Sequence, residues 1–301
     1  MSQHLCIRAA RAAAVTTLTF AAVLGGVGPA GATSPEDHPI EVSLGAGGIQ
    51  VPDGTHTGGL VSFRVATDDA AGRQLQLLRP HDGVTSDQAL KDLAASLSTD
   101  GPTAAAGIKA FRTEADALGG ALVTPQVHEQ FTEEVSPGAV YLVDLTALRA
   151  DPAHPVTKRL DLVGTNGQSA NQARFPDGMV LQHDTFAGPR FETAALDHAH
   201  LAYLVHNTST EIHEMQLRPV APGTTDAQLD AYYGALAAGG TPASPFTGPA
   251  TGFGGISPDH GAAIQAHGLL PGTYAVLCQV PDETLGVSHA ALGMHQVVTL
   301  Q

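Results

Sequence analysis

Cys278 is the residue with the greatest chemical potential in this chain. Of its two cysteines, Cys6 lies in an N-terminal stretch expected to be cleaved, so Cys278 would be left as a single thiol with no internal disulfide partner. Such a thiol is either buried and inert, or a metal ligand or reactive group. Its surroundings carry further donors. His289 follows with ten residues between, Met294 comes five residues later, and His213 lies upstream, six residues after Asn207. Thiolate, imidazole and thioether are donors that suit copper rather than zinc or calcium.

The elements around these residues read as short strands with turn punctuation, and they occur twice. QLQLLRPHDGVTSDQALKDLAASL (Gln74 to Leu97) matches EMQLRPVAPGTTDAQLDAYYGAL (Glu214 to Leu236): an alternating strand, Arg-Pro, a glycine-containing turn and a short amphipathic helix. Ser86 and Thr225 are suited to cap those helices. Leu90, Leu93 and Leu97 line one apolar stripe, and Leu229, Tyr233 and Leu236 the other. Further on, VSPGAVYLVDL (Val135 to Leu145) matches LLPGTYAVLCQV (Leu269 to Val280), in each case a Pro-Gly turn feeding a strand. A last strand follows in each half, Arg159 to Val163 and Gln296 to Leu300. A second helix is expected from Ala104 to Leu118, ended by Gly119-Gly120. The pattern predicts an all-β chain of two tandem sandwiches with short helical insertions. The expected divisions are residues 1–32, 33–166 and 167–301.

Residues 1–32 read as a secretion signal: Arg8 and Arg11, an apolar run centred on Leu18 to Leu24, then Ala30-Gly31-Ala32 as a cleavage site. No later stretch has the ~20 consecutive apolar residues of a spanning helix. The expectation is a secreted protein with no membrane partner after cleavage. The formal net charge is −15, and removal of Arg8 and Arg11 makes it more negative. Such a surface repels nucleic acid and favours cationic partners or metal ions.

The end of the chain resembles the cupredoxin family, the small blue-copper proteins. The motif that carries the resemblance is N-x5-H … L-x-PG-x-Y-x3-C-x10-H-x4-M, spanning most of the second half. The resemblance implies Greek-key sandwiches, with His213, Cys278 and His289 as equatorial ligands of a type 1 copper and Met294 as the weak axial ligand. The sequence departs from the family at Glu214, where Asn is frequent, and in the length of its Cys-to-His loop. In the first half Asp144 aligns with Cys278, and Arg73 or Gln74 with His213. His154 falls near the place of His289 and Arg159 stands for Met294. That half is therefore expected to hold no metal.

Three functions compete. The first is one-electron transfer with a redox partner protein. The second is a copper enzyme; oxidases of this family need histidines flanking the thiolate, whereas Cys278 lies between Leu277 and Gln279, so the chain is expected not to be an enzyme. The third is a metal-free exported module that kept the sandwich and lost the site. His198 and His200, read as sharing one face of a strand, form a weaker candidate metal pair. No H-E-x-x-H, phosphate-binding glycine loop or nucleophile elbow is present.

Overall fold

The computed structural model describes residues 39–165 and 176–301. The expected leader and the expected 166/167 boundary lie outside the described residues.

The first half runs β1 (Ile40–Gly45), β2 (Gly48–Gln50), β3 (His56–Thr67), β4 (Arg73–Pro80), α1 (Ser86–Ser96), α2 (Gly101–Glu114), β5 (Ala115–Val123), β6 (His128–Val135), β7 (Gly138–Asp144), α3 (Leu145–Ala150) and β8 (Thr157–Thr165). The second runs β9 (Gly178–Thr185), β10 (Gly188–Ala194), β11 (Tyr203–Asn207), β12 (His213–Pro219), α4 (Asp226–Ala237), β13 (Thr251–Ile256), β14 (Gly261–His267), β15 (Gly272–Leu277) and β16 (His295–Leu300).

The two halves repeat one topology. In each, a hairpin (β1–β2, β9–β10) lays its first strand parallel to the next long strand (β3, β11). That long strand pairs antiparallel with β6 or β14. In the opposite layer β4 lies between β5 and β7, and β12 between β13 and β15. The Pro-Gly strands then pair with β8 and β16 in matching register, Gly138 opposite Leu162 and Gly272 opposite Leu300. This crossing between layers is the Greek-key, cupredoxin-like sandwich, and the fold is all-β with helical insertions, as the sequence predicts.

The halves also join edge to edge. β6 pairs with β14, from His128 opposite His267 to Glu133 opposite Ala262, while β5 pairs with β13 in the other layer. Both layers therefore run through both halves, and the described residues form one compact unit. At the centre, all buried, Phe63 stacks on Phe131 with ring centroids 5.1 Å apart, and Phe253 meets Phe131 edge-on at 5.8 Å. The seam requires small residues. A Cβ on Gly120 would lie 2.0 Å from the Leu75 carbonyl oxygen, and one on Gly254 would lie 2.9 Å from Gly120 Cα.

Local expectations hold with three corrections. Leu236, expected on the apolar stripe of α4, is exposed, and only Leu229 and Tyr233 of that stripe are buried. Thr85, not Ser86, caps α1: its hydroxyl accepts from the Gln88 amide at 3.2 Å. The second helix runs from Gly101 to Glu114 instead of Ala104 to Leu118, with Asp100 as its cap and Pro102 in its first turn. Ala115 begins the buried strand β5, whose Gly119-Gly120 serve the seam and do not terminate a helix.

Candidate metal centre

His213 opens β12, and the preceding loop is fixed by Asn207. That buried side chain donates to the carbonyls of Glu211 (2.8 Å) and Ile256 (2.9 Å) and accepts from the Ser209 amide (3.0 Å). Its oxygen also accepts from the Ser209 hydroxyl at 2.7 Å, and an amide that donates twice and accepts twice can hold a non-repetitive loop without leaving a buried polar atom unpaired. Cys278 follows directly on β15. From there a ten-residue excursion, Gln279 to Ser288, returns to the site, closed by the Asp282 amide on Val287 O (2.8 Å) and the His289 amide on Val280 O (3.0 Å). His289–Leu292 make a 3-10 turn, and the Ala290 amide bonds Cys278 O at 2.7 Å.

Gly293 ends that turn at φ +93°, and a Cβ there would meet the Arg190 guanidinium at 2.8 Å. Arg190, from β10, donates to Leu292 O at 2.8 Å and so clamps the turn. The reversal returns Met294 to the site: its amide bonds His289 O (2.9 Å) and its carbonyl accepts from Cys278 N (3.3 Å).

His213, Cys278 and His289 converge, all at 0–1 % exposure. His213 Nδ1 and His289 Nδ1 are 2.9 Å apart, and Cys278 Sγ lies 3.6 Å from the first and 3.5 Å from the second. A point equidistant from the three atoms is about 1.9 Å from each, against roughly 2.0–2.3 Å for nitrogen and sulfur ligands of a bound metal ion. Met294, whose backbone bonds both His289 and Cys278, is likewise fully buried. The donor set and its spacing fit a soft trigonal site.

The surrounding groups orient the donors. Glu211 accepts from His289 Nε2 at 3.1 Å, which puts that ring's proton on Nε2 and turns the Nδ1 lone pair toward the thiol. The Glu214 amide donates to Cys278 Sγ at 3.4 Å. Glu214 itself is buried, its carboxylate receiving Gln279 N (3.0 Å), Gln216 Nε2 (2.7 Å) and Gln74 Nε2 (3.0 Å). His213 Nε2 has no partner among the described residues. Burial, and then the neighbouring His289, holds the His213 imidazole well below its usual range. Burial, followed by the Glu214 charge, pushes the Cys278 thiol up. The thiol thus keeps its proton, which a metal ion must displace to bind the sulfur.

In the first half the equivalent positions hold different chemistry. Leu75 stands opposite Asp144, and Gln216 stands opposite Leu277, one residue before Cys278. The same register equates Asp144 with Cys278 and Arg73, not Gln74, with His213. Arg73 Nη1 bonds Asp144 Oδ2 at 3.0 Å, and Asp144 Oδ1 caps α3 through the Ala147 amide at 2.9 Å. An ion pair plugs the place of the thiol and imidazole. Val156, whose carbonyl accepts from the Asp144 amide as Met294 does from Cys278, occupies the Met294 position; Arg159 lies farther along, opposite Tyr141. His154 is exposed and bonds Asp151 at 2.8 Å.

His198 and His200 lie in the turn before β11 and not on a strand, with rings 5.8 Å apart, and they join no metal-competent group among the described residues. Sequence reasoning missed Glu211, Glu214 and Arg190 as supports. Glu211 and Glu214 carried one usable signal, since both are acids within two residues of His213 in a chain only 14 % charged.

The fold is cupredoxin-like, and it brings His213, Cys278 and His289 together. No family model and no curated protein matches the chain. Among solved structures it is similar to auracyanin from Roseiflexus castenholzii, at 17 % identity over 41 % of this chain and 94 % of that one, with a TM-score of 0.26. It is similar to the Cu-containing nitrite reductase of Thermus scotoductus SA-01 at 12 % identity, covering 88 % of this chain and 61 % of that one, TM-score 0.23. It is also similar to the McoA multicopper oxidase of Aquifex aeolicus at 11 %, covering 87 % and 65 %, TM-score 0.25. The last two carry the names of enzymes. The expectation that the chain is not an enzyme is corrected accordingly: such sandwiches occur in oxidases and reductases, and the absence of histidines beside Cys278 does not exclude catalysis.

Proposed function

We propose that the chain is an exported cupredoxin-like protein that holds one type 1 copper through His213, Cys278, His289 and Met294 and exchanges single electrons with a partner protein. The observation that carries this reading is the convergence of two imidazole Nδ1 atoms and one thiol sulfur at 2.9, 3.5 and 3.6 Å in a fully buried setting. Copper held there supplies a reversible one-electron couple.

The protein's own residues account for the rest. Three of the four donors sit on one short excursion between β15 and β16, and Arg190 and Asn207 fix both approaches, so the site needs little rearrangement when its charge changes. Burial excludes water from the sulfur. Glu211 holds the His289 ring at its outer edge, and the Glu214 amide bonds the sulfur. The first half, with Arg73 and Asp144 in place of ligands, is proposed to bind no metal. Export is proposed from Arg8, Arg11 and the Ala30-Gly31-Ala32 signal, with a mature N-terminus near Thr33; intact mass of secreted material retaining residues 1–32 would refute it.

The test of the site is metal content. Purified chain exposed to Cu(II) and desalted should retain one copper per chain, and Cys278→Ser and His213→Ala should each retain none. Wild-type stoichiometry in a folded Cys278→Ser variant would overturn the assignment.

A further inference from the structure

The helices of the first half close a cavity against the back of the metal centre. Its volume is about 330 Å³, within the range of small-molecule sites. Leu93, Ile108 and Phe111 from α1 and α2 form an apolar wall. Facing them, Gln74, Gln216 and Gln279 surround the buried Glu214. Glu214 and Gln279 are the chain neighbours of His213 and Cys278.

The hydrogen bonds fix which atoms remain available. Gln74 Nε2 and Gln216 Nε2 both donate to the Glu214 carboxylate, at 3.0 and 2.7 Å. A carboxylate only accepts, so both amides are turned nitrogen-inward. Gln279 Nε2 donates to the Tyr233 hydroxyl at 2.8 Å. The side-chain oxygens of all three glutamines are thus left without a protein donor among the described residues. The two charged side chains on the lining, Glu214 and Arg149, oppose one another, so the cavity favours neither an anion nor a cation, and a wholly apolar molecule would leave the amide oxygens unpaired.

We propose that this cavity binds a small, uncharged, donor-rich molecule of the polyol class, its hydroxyls on the glutamine oxygens and its carbon face on Leu93, Ile108 and Phe111. The bound molecule is coupled to the metal centre through Glu214, whose carboxylate belongs to the cavity wall and whose amide donates to Cys278 Sγ at 3.4 Å. This coupling rests on the copper reading above; the binding does not.

The test uses erythritol and the full chain without metal, followed by saturation-transfer NMR and calorimetry. Saturable binding is expected, at least tenfold weaker in Ala104→Leu, which fills the cavity from α2, and in Ser98→Phe, which blocks its lining near the surface. The acceptor-only trimethylamine N-oxide should show none. Should Ala104→Leu fail to fold, Ser98→Phe decides. Absence of saturable binding, or unchanged affinity in a folded Ser98→Phe chain, overturns the site. With copper loaded, erythritol should shift the thiolate absorption band of the wild type and leave that of Ser98→Phe unmoved; binding without a shift overturns the coupling. A chain that takes up no copper yet binds erythritol refutes the copper reading and leaves the cavity assignment standing.

Discussion

Replacing Glu129 by glutamine should make the protein less sensitive to alkaline pH, by an amount the structure sets. Glu129 points from β6 into the sandwich interior at 1 % exposure, and neither carboxylate oxygen has a hydrogen-bond partner among the described residues. Tyr203, Met215, Leu217 and Leu300 wall a cavity beside it of only about 10 Å³, on the order of one water probe. Burial pushes its carboxyl from 4.5 up to about 8. The folded chain therefore keeps a proton that the unfolded chain releases between those values, and stability falls as pH rises through the window. The slope is about 1.4 kcal/mol per pH unit, giving roughly 3 kcal/mol lost by pH 7 and about 5 kcal/mol above pH 8. The amide of Glu129→Gln cannot ionise, and whatever penalty it carries for lacking a partner is independent of pH. Urea unfolding at pH 5 and pH 8 for both chains isolates the effect, because every other titrating group is common to the two. The difference in unfolding free energy should move toward the variant by about 3–4 kcal/mol between those pH values. Parallel pH profiles would show that Glu129 is not a buried neutral acid and would refute the reasoning.

The remaining expectations concern the seam, the plug and the metal centre. Gly120→Ala places a Cβ 2.0 Å from the Leu75 carbonyl; thermal melts should show a loss of at least about 3 kcal/mol, beyond ordinary overpacking. Arg73→Ala strands Asp144, 1 % exposed at its side chain, and should cost about 3–5 kcal/mol in urea unfolding while leaving copper content unchanged. Glu211→Gln weakens the hold on His289 Nε2 and should lower copper affinity roughly 10- to 100-fold in a chelator competition. Met294→Leu should keep the thiolate absorption and shift the reduction potential, read by voltammetry, because the thioether is the weak ligand.

Much of this architecture was legible because its signals are local. The two Pro-Gly turns feed strands in the same register, and the Arg-Pro-turn-helix segments recur in the same order. Three of the four candidate donors lie within a short span after β15, and His213 joins them once β12 is paired with β15. What was not legible depends on distant contacts. Nothing in ALGGALV announces that β5 pairs with β13, because strand partners are chosen by tertiary packing; read by itself, the same stretch passes for a helix end. Placing Arg159 at the Met294 position failed because the return from Asp144 is shortened by α3, which brings Val156 and not Arg159 beside it. His198 and His200 alternate as strand residues do, yet the chain turns there to reach β11. Glu214 was noted only as a departure from the family's Asn, and its part in the wall of a cavity roofed by the first half needed coordinates.

The most direct test of the central claim is a spectroelectrochemical titration of the copper-loaded chain. An intense thiolate-to-copper band should bleach on reduction and return on oxidation with a single-electron Nernst slope of about 59 mV per decade, and Cys278→Ser should have no such band at any potential. A colourless copper-loaded chain, or a band that persists without Cys278, would contradict the account.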